Sequence, residues 1–316
     1  MKRILTAAEL EEVDGIVSEK ICALGDFPDG AHCLMLEDDD IPKILPKRSR
    51  MSHKGTCGKV LAVAGSPCMA GAAAFCGESS YRAGAGLVKI LTARENLIPL
   101  QCALPEALYQ IYDDYPDPGE IRKAAEWADV VLIGPGLGQS EAAKSILKTV
   151  TEAVKVPMVF DADALNIIAS SPGILSELKA PAVITPHLGE MSRLTGKELS
   201  YIRENMIKTA TEFADKHNVT VLLKSAVSVI AEPSGRIYIN NTGNDALSKG
   251  GSGDILSGFV AGLLAGDSSD IPVMAAAAAY LCGKNAEHLS EKMSARSVMA
   301  RDLLREIGEV LSYYGK

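Results

Sequence analysis

From Lys59 onward the chain alternates between short apolar runs and longer stretches of helical pattern. Runs of strand length occur at Val60–Ala64, Leu87–Leu91, Val130–Ile133, Met158–Phe160, Ala182–Ile184, Val219–Leu223, Ser228–Ala231 and Arg236–Ile239. Between most of the earlier ones lie the helical stretches Ala70–Ala83, Ser140–Ala153, Leu165–Ala169 and Tyr201–His217. Continuous Val/Ile/Leu runs predict strands buried on both faces, and helices between them predict parallel crossovers. The last three runs follow one another without a helix, around a turn at Glu232-Pro233-Ser234-Gly235, so an antiparallel edge is expected. The remainder reads as helix over Gly253–Ala265, Pro272–Leu289 and Ala300–Leu311. The pattern is that of an α/β three-layer sandwich, with a mostly parallel central sheet and helices on both faces.

Residues 1–52 do not share this alternation. They hold a helical pattern over Ala7–Cys22, an acidic run Glu37–Asp40 and a basic cluster of Lys47, Arg48 and Arg50. The charge runs read as solvated surface. This segment is an N-terminal arm, too short to bury a core of its own, ahead of one domain over 53–316.

Composition narrows the function classes. Of 316 residues, 47% are hydrophobic and 23% charged, which excludes an intrinsically disordered chain. A net charge of −8 opposes binding to nucleic acid or to an anionic membrane surface, so neither partner is expected. An anionic ligand must therefore be held locally, by backbone N–H groups or single basic side chains. The N-terminus lacks a signal-peptide apolar run, and the weakly polar Ile271–Gly283 is interrupted by Pro272 and too short to span a bilayer. Seven cysteines without a C-x-x-C pair argue against a disulfide framework or a structural zinc site. A reducing, cytoplasmic setting is expected.

In an open α/β sheet, ligands bind beyond the carboxyl ends of the strands. There the sequence places Ala64–Ala74, Gly134–Glu141, Asp161–Leu165 and Thr185–Glu190, each with glycine, carboxylate or histidine. The segment Asn240–Asp254, with Gly250, Gly251 and Gly253, runs straight into an apolar helix. Glycines at a helix N-terminus expose unpaired N–H groups and the positive end of the helix dipole, which makes an anion hole. Asp254 in the first turn has two readings. As a cap alone it would tolerate Asn with a change below about 1 kcal/mol. As a general base it would deprotonate a hydroxyl that attacks a phosphoryl group held in the hole. Asp161 and Asp163 read equally as a magnesium outer shell or as helix caps. There is no P-loop signature, and Gly134–Gly138 lacks the spacing of a dinucleotide fingerprint.

A run of further motifs is similar to one family. His53-Lys54-Gly55-x-x-Gly58, Val63-Ala64-Gly65-Ser66 and Met69-x-Gly71-Ala72-Ala73 open it, followed by Arg82–Val88 and Pro105-Glu106. Gly134–Gly138, Asp161–Leu165, Thr185-Pro-His-Leu-Gly-Glu190, Asn241–Asn244 and Gly250–Asp254 continue it in order over about residues 45–290. Together they resemble the NAD(P)H-hydrate dehydratases of the ribokinase-like superfamily. The resemblance implies a ribokinase-like sandwich and repair of the hydrated cofactors NADHX and NADPHX. Dehydration would be driven by ADP, or by ATP as in eukaryotic members, with Mg2+. It implies that Asp254 is catalytic and that Ala72, Gly136, Gly138, His187 and Asp254 meet the hydrated dinucleotide. Lys224, Ser225, Ala226, Val227 and Ser228, with Gly250, Gly251, Ser252 and Gly253, would meet the adenine nucleotide. Asp161 and Asn244 would be further substrate or magnesium contacts, with no direct metal ligand assigned. Two positions depart from the family pattern: Ser225 replaces the usual Gly, and Leu188 the commoner Pro. The resemblance also implies a homo-oligomer, tetrameric by the family habit, and an ADP-dependent single-domain form acting beside a separate epimerase. A small-molecule kinase for a pyrimidine or thiazole alcohol would share Asp254 and the glycine hole, and differ in its acceptor pocket.

Overall fold

The computed structural model describes residues 2–4, 32–45 and 47–314. The helix expected over Ala7–Cys22 lies outside them. Eleven strands form one sheet: β1 (Lys2–Ile4), β2 (His32–Met35), β3 (Lys59–Val63), β4 (Leu87–Ala93), β5 (Leu108–Tyr112), β6 (Val130–Ile133), β7 (Met158–Phe160), β8 (Ala182–Ile184), β9 (Thr220–Leu223), β10 (Ser228–Ala231) and β11 (Arg236–Asn240). Their spatial order is β1-β2-β11-β10-β9-β8-β7-β6-β3-β4-β5. From β9 to β5 every neighbour is parallel, while β9, β10 and β11 form the expected antiparallel section.

Two departures come from the sheet margins. The arm supplies β2, which pairs parallel to β11, and β1, antiparallel to β2. At the other margin β5 follows β4 in parallel. Its residues are only half-buried, so it lacks the continuous apolar run that marks the inner strands.

Alternation along each strand feeds two cores, one on each face of the sheet. Leu61, Val63, Val131, Ile133 and Phe160 pack against one helical layer, and Val60, Ala62, Val130, Leu132 and Val159 against the other. The first layer holds α2 (Glu141–Ala153), α3 (Asp163–Ser170), α4 (Leu188–Thr195) and α5 (Met206–His217); the second holds α1 (Ala70–Ala83), α6 (Ser252–Gly266) and α7 (Ile271–Lys292). A last helix, α8 (Ala300–Tyr314), packs along α7 and α1. The stretch expected as one helix over Tyr201–His217 is two, Leu199–Glu204 and α5, because Asn205 leaves helical geometry at φ −133°. Helix α4 was hidden in a segment read only as a strand-end loop.

The chain runs from β3 outward to β5, then returns to β6 on the other side of β3 and proceeds to β9. The crevice between the carboxyl ends of β3 and β6 is thus the topological switch point, where ligands of open α/β sheets bind.

Candidate active site

Helix α6 carries Asp254, and small residues fix where that helix lies. A Cβ at Gly258 would stand 2.0 Å from Ser79 Oγ, and one at Gly262 would stand 2.4 Å from the Ser80 carbonyl oxygen. Only bare backbone permits so close a crossing of α6 over α1. Ser80 Oγ donates across it to the Gly258 carbonyl at 3.0 Å. Chain entry into α6 is equally constrained. Gly251 is the N-cap at φ 97°, and a side chain there would strike the Phe75 ring at 2.8 Å. Asp254 is therefore the third helical residue, in the positive first turn.

Among the described residues, nothing donates a hydrogen bond to the Asp254 carboxylate, and the helix has no side-chain cap. The capping role is absent. Burial, reinforced by the nearby Asp161 and Asp163 carboxylates and opposed by Lys224, pushes the Asp254 carboxyl up to about 7. That is the range in which a carboxylate can work as a general base near neutral pH.

Beside it, Lys224 at the end of β9 reaches Asp161 at the end of β7, Nζ to Oδ1 2.8 Å. Their side chains are 18% and 2% exposed, so this is a largely buried pair. Burial alone would lower the Lys224 ammonium, but Asp161, Glu190 and Asp254 hold it above the ordinary lysine value. Lys224 Nζ would lie 3.5 Å from a Cβ at Gly253, so the lysine lies against the first turn of α6. Asp161 spends one oxygen on Lys224 and is nearly closed off from solvent, so it anchors the lysine. Asp163 accepts from the Gly138 N–H at 2.8 Å, so it too is committed. Ala162 between them holds a strained φ of 49°.

A cleft of about 620 Å3 opens on the Lys224 side of α6. Of the residues expected to hold the nucleotide, Lys224, Ser225, Ala226, Ser228, Ser252 and Gly253 line it. Val227, Gly250 and Gly251 do not. Val227 turns into the core, Gly251 packs against Phe75 and Ala300, and Gly250 lies outside the cleft lining. Asn244 lines the cleft, yet its amide donates to Ser290 Oγ at 2.9 Å while its oxygen accepts from the Ala246 N–H, so it shapes the loop. Lys249, Asn240, Thr242 and Leu256 also line the cleft and were not singled out. Lys249 could have been found as a lone cation beside the glycine cluster, whereas Leu256 carried no signal beyond helical apolarity.

Of the residues expected to meet the dinucleotide, Ala72, Gly136 and Gly138 flank the switch-point crevice. Gly136 at φ 58° stands so close to α1 that a Cβ would meet Ala72 Cβ at 2.9 Å. The Ser66 and Gly65 N–H groups donate to the Gly136 and Pro135 carbonyls, which zips the β3 and β6 loops together. His187 lies three residues beyond β8 and is the N-cap of α4: its Nδ1 accepts from the Gly189 and Glu190 N–H groups at 2.9 and 3.2 Å, and Glu190 Oε2 accepts from the His187 N–H at 2.8 Å. The structural use of Nδ1 places the imidazole proton on Nε2. Burial, with Lys224 and Arg193 nearby, keeps the ring neutral by lowering its pKa. His187 also lines the 620 Å3 cleft.

The sheet, the switch-point loops and an aspartate in the first turn of a glycine-entered helix define a ribokinase-like protein. A ribokinase-like superfamily structure from Enterococcus faecalis superimposes with a TM-score of 0.80 at 26% identity, covering 92% of this chain and 98% of that one. More narrowly, the chain belongs to the NAD(P)H-hydrate dehydratase family, whose model matches residues 60–309. A Bacillus subtilis ADP-dependent (S)-NAD(P)H-hydrate dehydratase is 35% identical over 267 residues, covering 84% of this chain and 93% of that protein. A Bacillus subtilis ADP/ATP-dependent NAD(P)H-hydrate dehydratase co-crystallised with ATP/Mg2+ matches with a TM-score of 0.77 at 30% identity, covering 91% of this chain and all of that one. A bifunctional NAD(P)H-hydrate repair enzyme from Moorella thermoacetica is 39% identical over 276 residues, which is 84% of this chain but 52% of that protein. The chain spans about half the length of such bifunctional relatives.

Proposed function

We propose that this protein dehydrates (S)-NADHX and (S)-NADPHX to NADH and NADPH, using ADP and releasing AMP and phosphate. The observation that supports the reading is the Asp254 carboxylate, which accepts no hydrogen bond among the described residues and lies in the first turn of α6, next to Gly253 and Ser252 of the cleft lining and within the field of Lys224.

The chemistry follows from the leaving group. Hydroxide leaves carbon poorly, whereas phosphate leaves readily. Asp254 takes the proton of the C6 hydroxyl as that oxygen attacks the terminal phosphoryl of the nucleotide, and AMP departs. Lys224, the N–H groups of the first turn of α6 and the helix dipole balance the charge that develops there. The ring nitrogen lone pair then expels phosphate from C6, C5 loses a proton, and the ring double bond is restored.

Magnesium would enter this site as an ion carried by the nucleotide phosphates with most of its water, since Asp161 and Asp163 already accept from Lys224 and from the Gly138 N–H, and Asp245 is the exposed carboxylate of the cleft lining. Bound there, it would neutralise phosphate charge. Use of ATP in place of ADP, a cytoplasmic setting, a homo-oligomer and a separate epimerase acting upstream belong to the same reading. No helix among the described residues is long and apolar enough to cross a membrane.

The test is direct. Purified protein given NADHX or NADPHX with ADP restores the near-ultraviolet absorbance of the reduced nicotinamide and releases one phosphate per turnover. Stable, stoichiometric phosphorylation of a small alcohol, with no restored absorbance, would establish the kinase reading instead.

A further inference from the structure

Resting on the dehydratase reading, we propose that Arg193 and the small cavity beside it form a subsite for a phosphate of the hydrated dinucleotide. The residue lies in the last turn of α4, outside every motif assigned to substrate. Its Nε donates to Asn166 Oδ1 at 2.9 Å. Asn166 Nδ2 in turn donates to Asp163 Oδ1 at 3.3 Å, and Asp163 Oδ2 accepts from the Gly138 N–H at 2.8 Å. One chain of hydrogen bonds therefore runs from the switch-point glycine loop to the guanidinium. Because Nε is spent on Asn166, the fork of the two terminal nitrogens is aimed rather than free to swing.

Three further features make this an anion site. Gly189 has no side chain, and a Cβ there would touch His187 at 2.9 Å and Arg193 Nη1 at 3.8 Å, so the guanidinium lies close to His187. Among the described residues no carboxylate comes within ion-pair distance of Arg193, although the chain carries a net charge of −8. The adjoining cavity of about 480 Å3 is lined by Gln139, Asn166, Ala169, Ser170 and Arg193, which gives amide and hydroxyl donors, one cation and no acid. Gln139 directly follows Gly138, so the cavity continues the crevice assigned to the dinucleotide. A guanidinium fork with polar neighbours suits a phosphate bidentately. Two phosphates could reach it: the pyrophosphate, common to both hydrates, or the 2′-phosphate, present in NADPHX alone.

The experiment compares the parent with Arg193→Ala and Arg193→Lys. Equilibrium binding of NADH and NADPH, which carry the same phosphates as the hydrates, is measured first because it does not depend on turnover. Loss of a charge-assisted bidentate contact should weaken binding roughly 10- to 100-fold in Arg193→Ala, with partial recovery in Arg193→Lys. Weakening of NADPH alone assigns the 2′-phosphate, and weakening of both assigns the pyrophosphate. The same pattern should appear in KM for NADPHX and NADHX. Equal binding of both probes to the parent and to a folded Arg193→Ala protein, or no binding to the parent, overturns the subsite. Binding that weakens as expected in a parent that dehydrates neither hydrate would instead keep the subsite and remove the dehydratase reading.

Discussion

Replacing Asp254 by Asn preserves shape and removes a charge that the fold holds at a cost. The carboxyl rises from 3.8 to about 7, chiefly through burial. A difference of about three in pKa corresponds to roughly 4 kcal/mol as an upper bound, at about 1.4 kcal/mol each. Residual solvent access to the half-buried group reduces this to about 1–3 kcal/mol. Between about pH 4 and 7 the folded protein keeps a proton that the unfolded chain has released. Stability from this group is thus full below about pH 4 and is lost as pH rises to about 7. Asp254→Asn abolishes that slope, so the variant should be the more stable protein at pH 8 and equal to the parent near pH 4. A side chain acting only as a cap would have left stability unchanged. Catalysis moves the other way: losing the base should cost about 10²–10⁴ in rate. The parent's kcat/KM for NADHX should rise with pH through an apparent pKa near 7, and the variant should lack this limb. Melting at pH 4.5 and 8, ADP affinity and the pH–rate profile are measured on the same preparations. Turnover within about tenfold of the parent, or a variant less stable at pH 8, would falsify the base assignment.

Other perturbations separate packing from chemistry. Lys224→Met strands Asp161 in a nearly closed site and should cost about 3–5 kcal/mol in urea unfolding, most of it restored by adding Asp161→Asn; an unchanged midpoint would mean that the pair is solvated. Gly258→Val forces a side chain into Ser79 and Cys76 and should destabilise by at least about 2 kcal/mol while displacing Asp254, so stability and turnover fall together. Gly136→Ala meets both a φ of 58° and the Ala72 methyl at 2.9 Å; it should cost about 1–2 kcal/mol and raise KM for the hydrate, with ADP affinity unaltered. His187→Ala removes the α4 cap and should lose about 1 kcal/mol, whereas His187→Asn should recover the stability but not the substrate KM. Full recovery of both would reduce His187 to a cap.

Much of this was legible because the physics is local. Inner strands buried on both faces announce themselves as unbroken Val/Ile/Leu runs, and a glycine cluster before an apolar helix announces a helix terminus that needs close approach. Strand β5 was hidden because only one of its edges is paired and its residues are half-buried, so Leu108–Tyr112 has no strong run. Strand β2 was hidden because its place in the sheet depends on β11, some two hundred residues later in the chain. The same limit applies within the site. Asp254 could be read as a first-turn carboxylate, but that it accepts no hydrogen bond follows only from where Asp161 and Lys224 converge in space. Val227 sits inside the motif, in the bend between β9 and β10, and its side chain is buried in the core, which the motif alone did not reveal.

The pairing of β2 with β11 separates two boundaries that are easily treated as one. The family model's match begins at residue 60, but Cys33 in β2 is buried opposite Ile237, and Ile41 soon after it is wholly enclosed. Cutting the chain just ahead of the first motif would unmask the hydrogen-bonding edge of β11, a strand whose other edge pairs with β10. The shortened protein would retain every residue assigned to chemistry and would still be prone to associate edge to edge with its own copies.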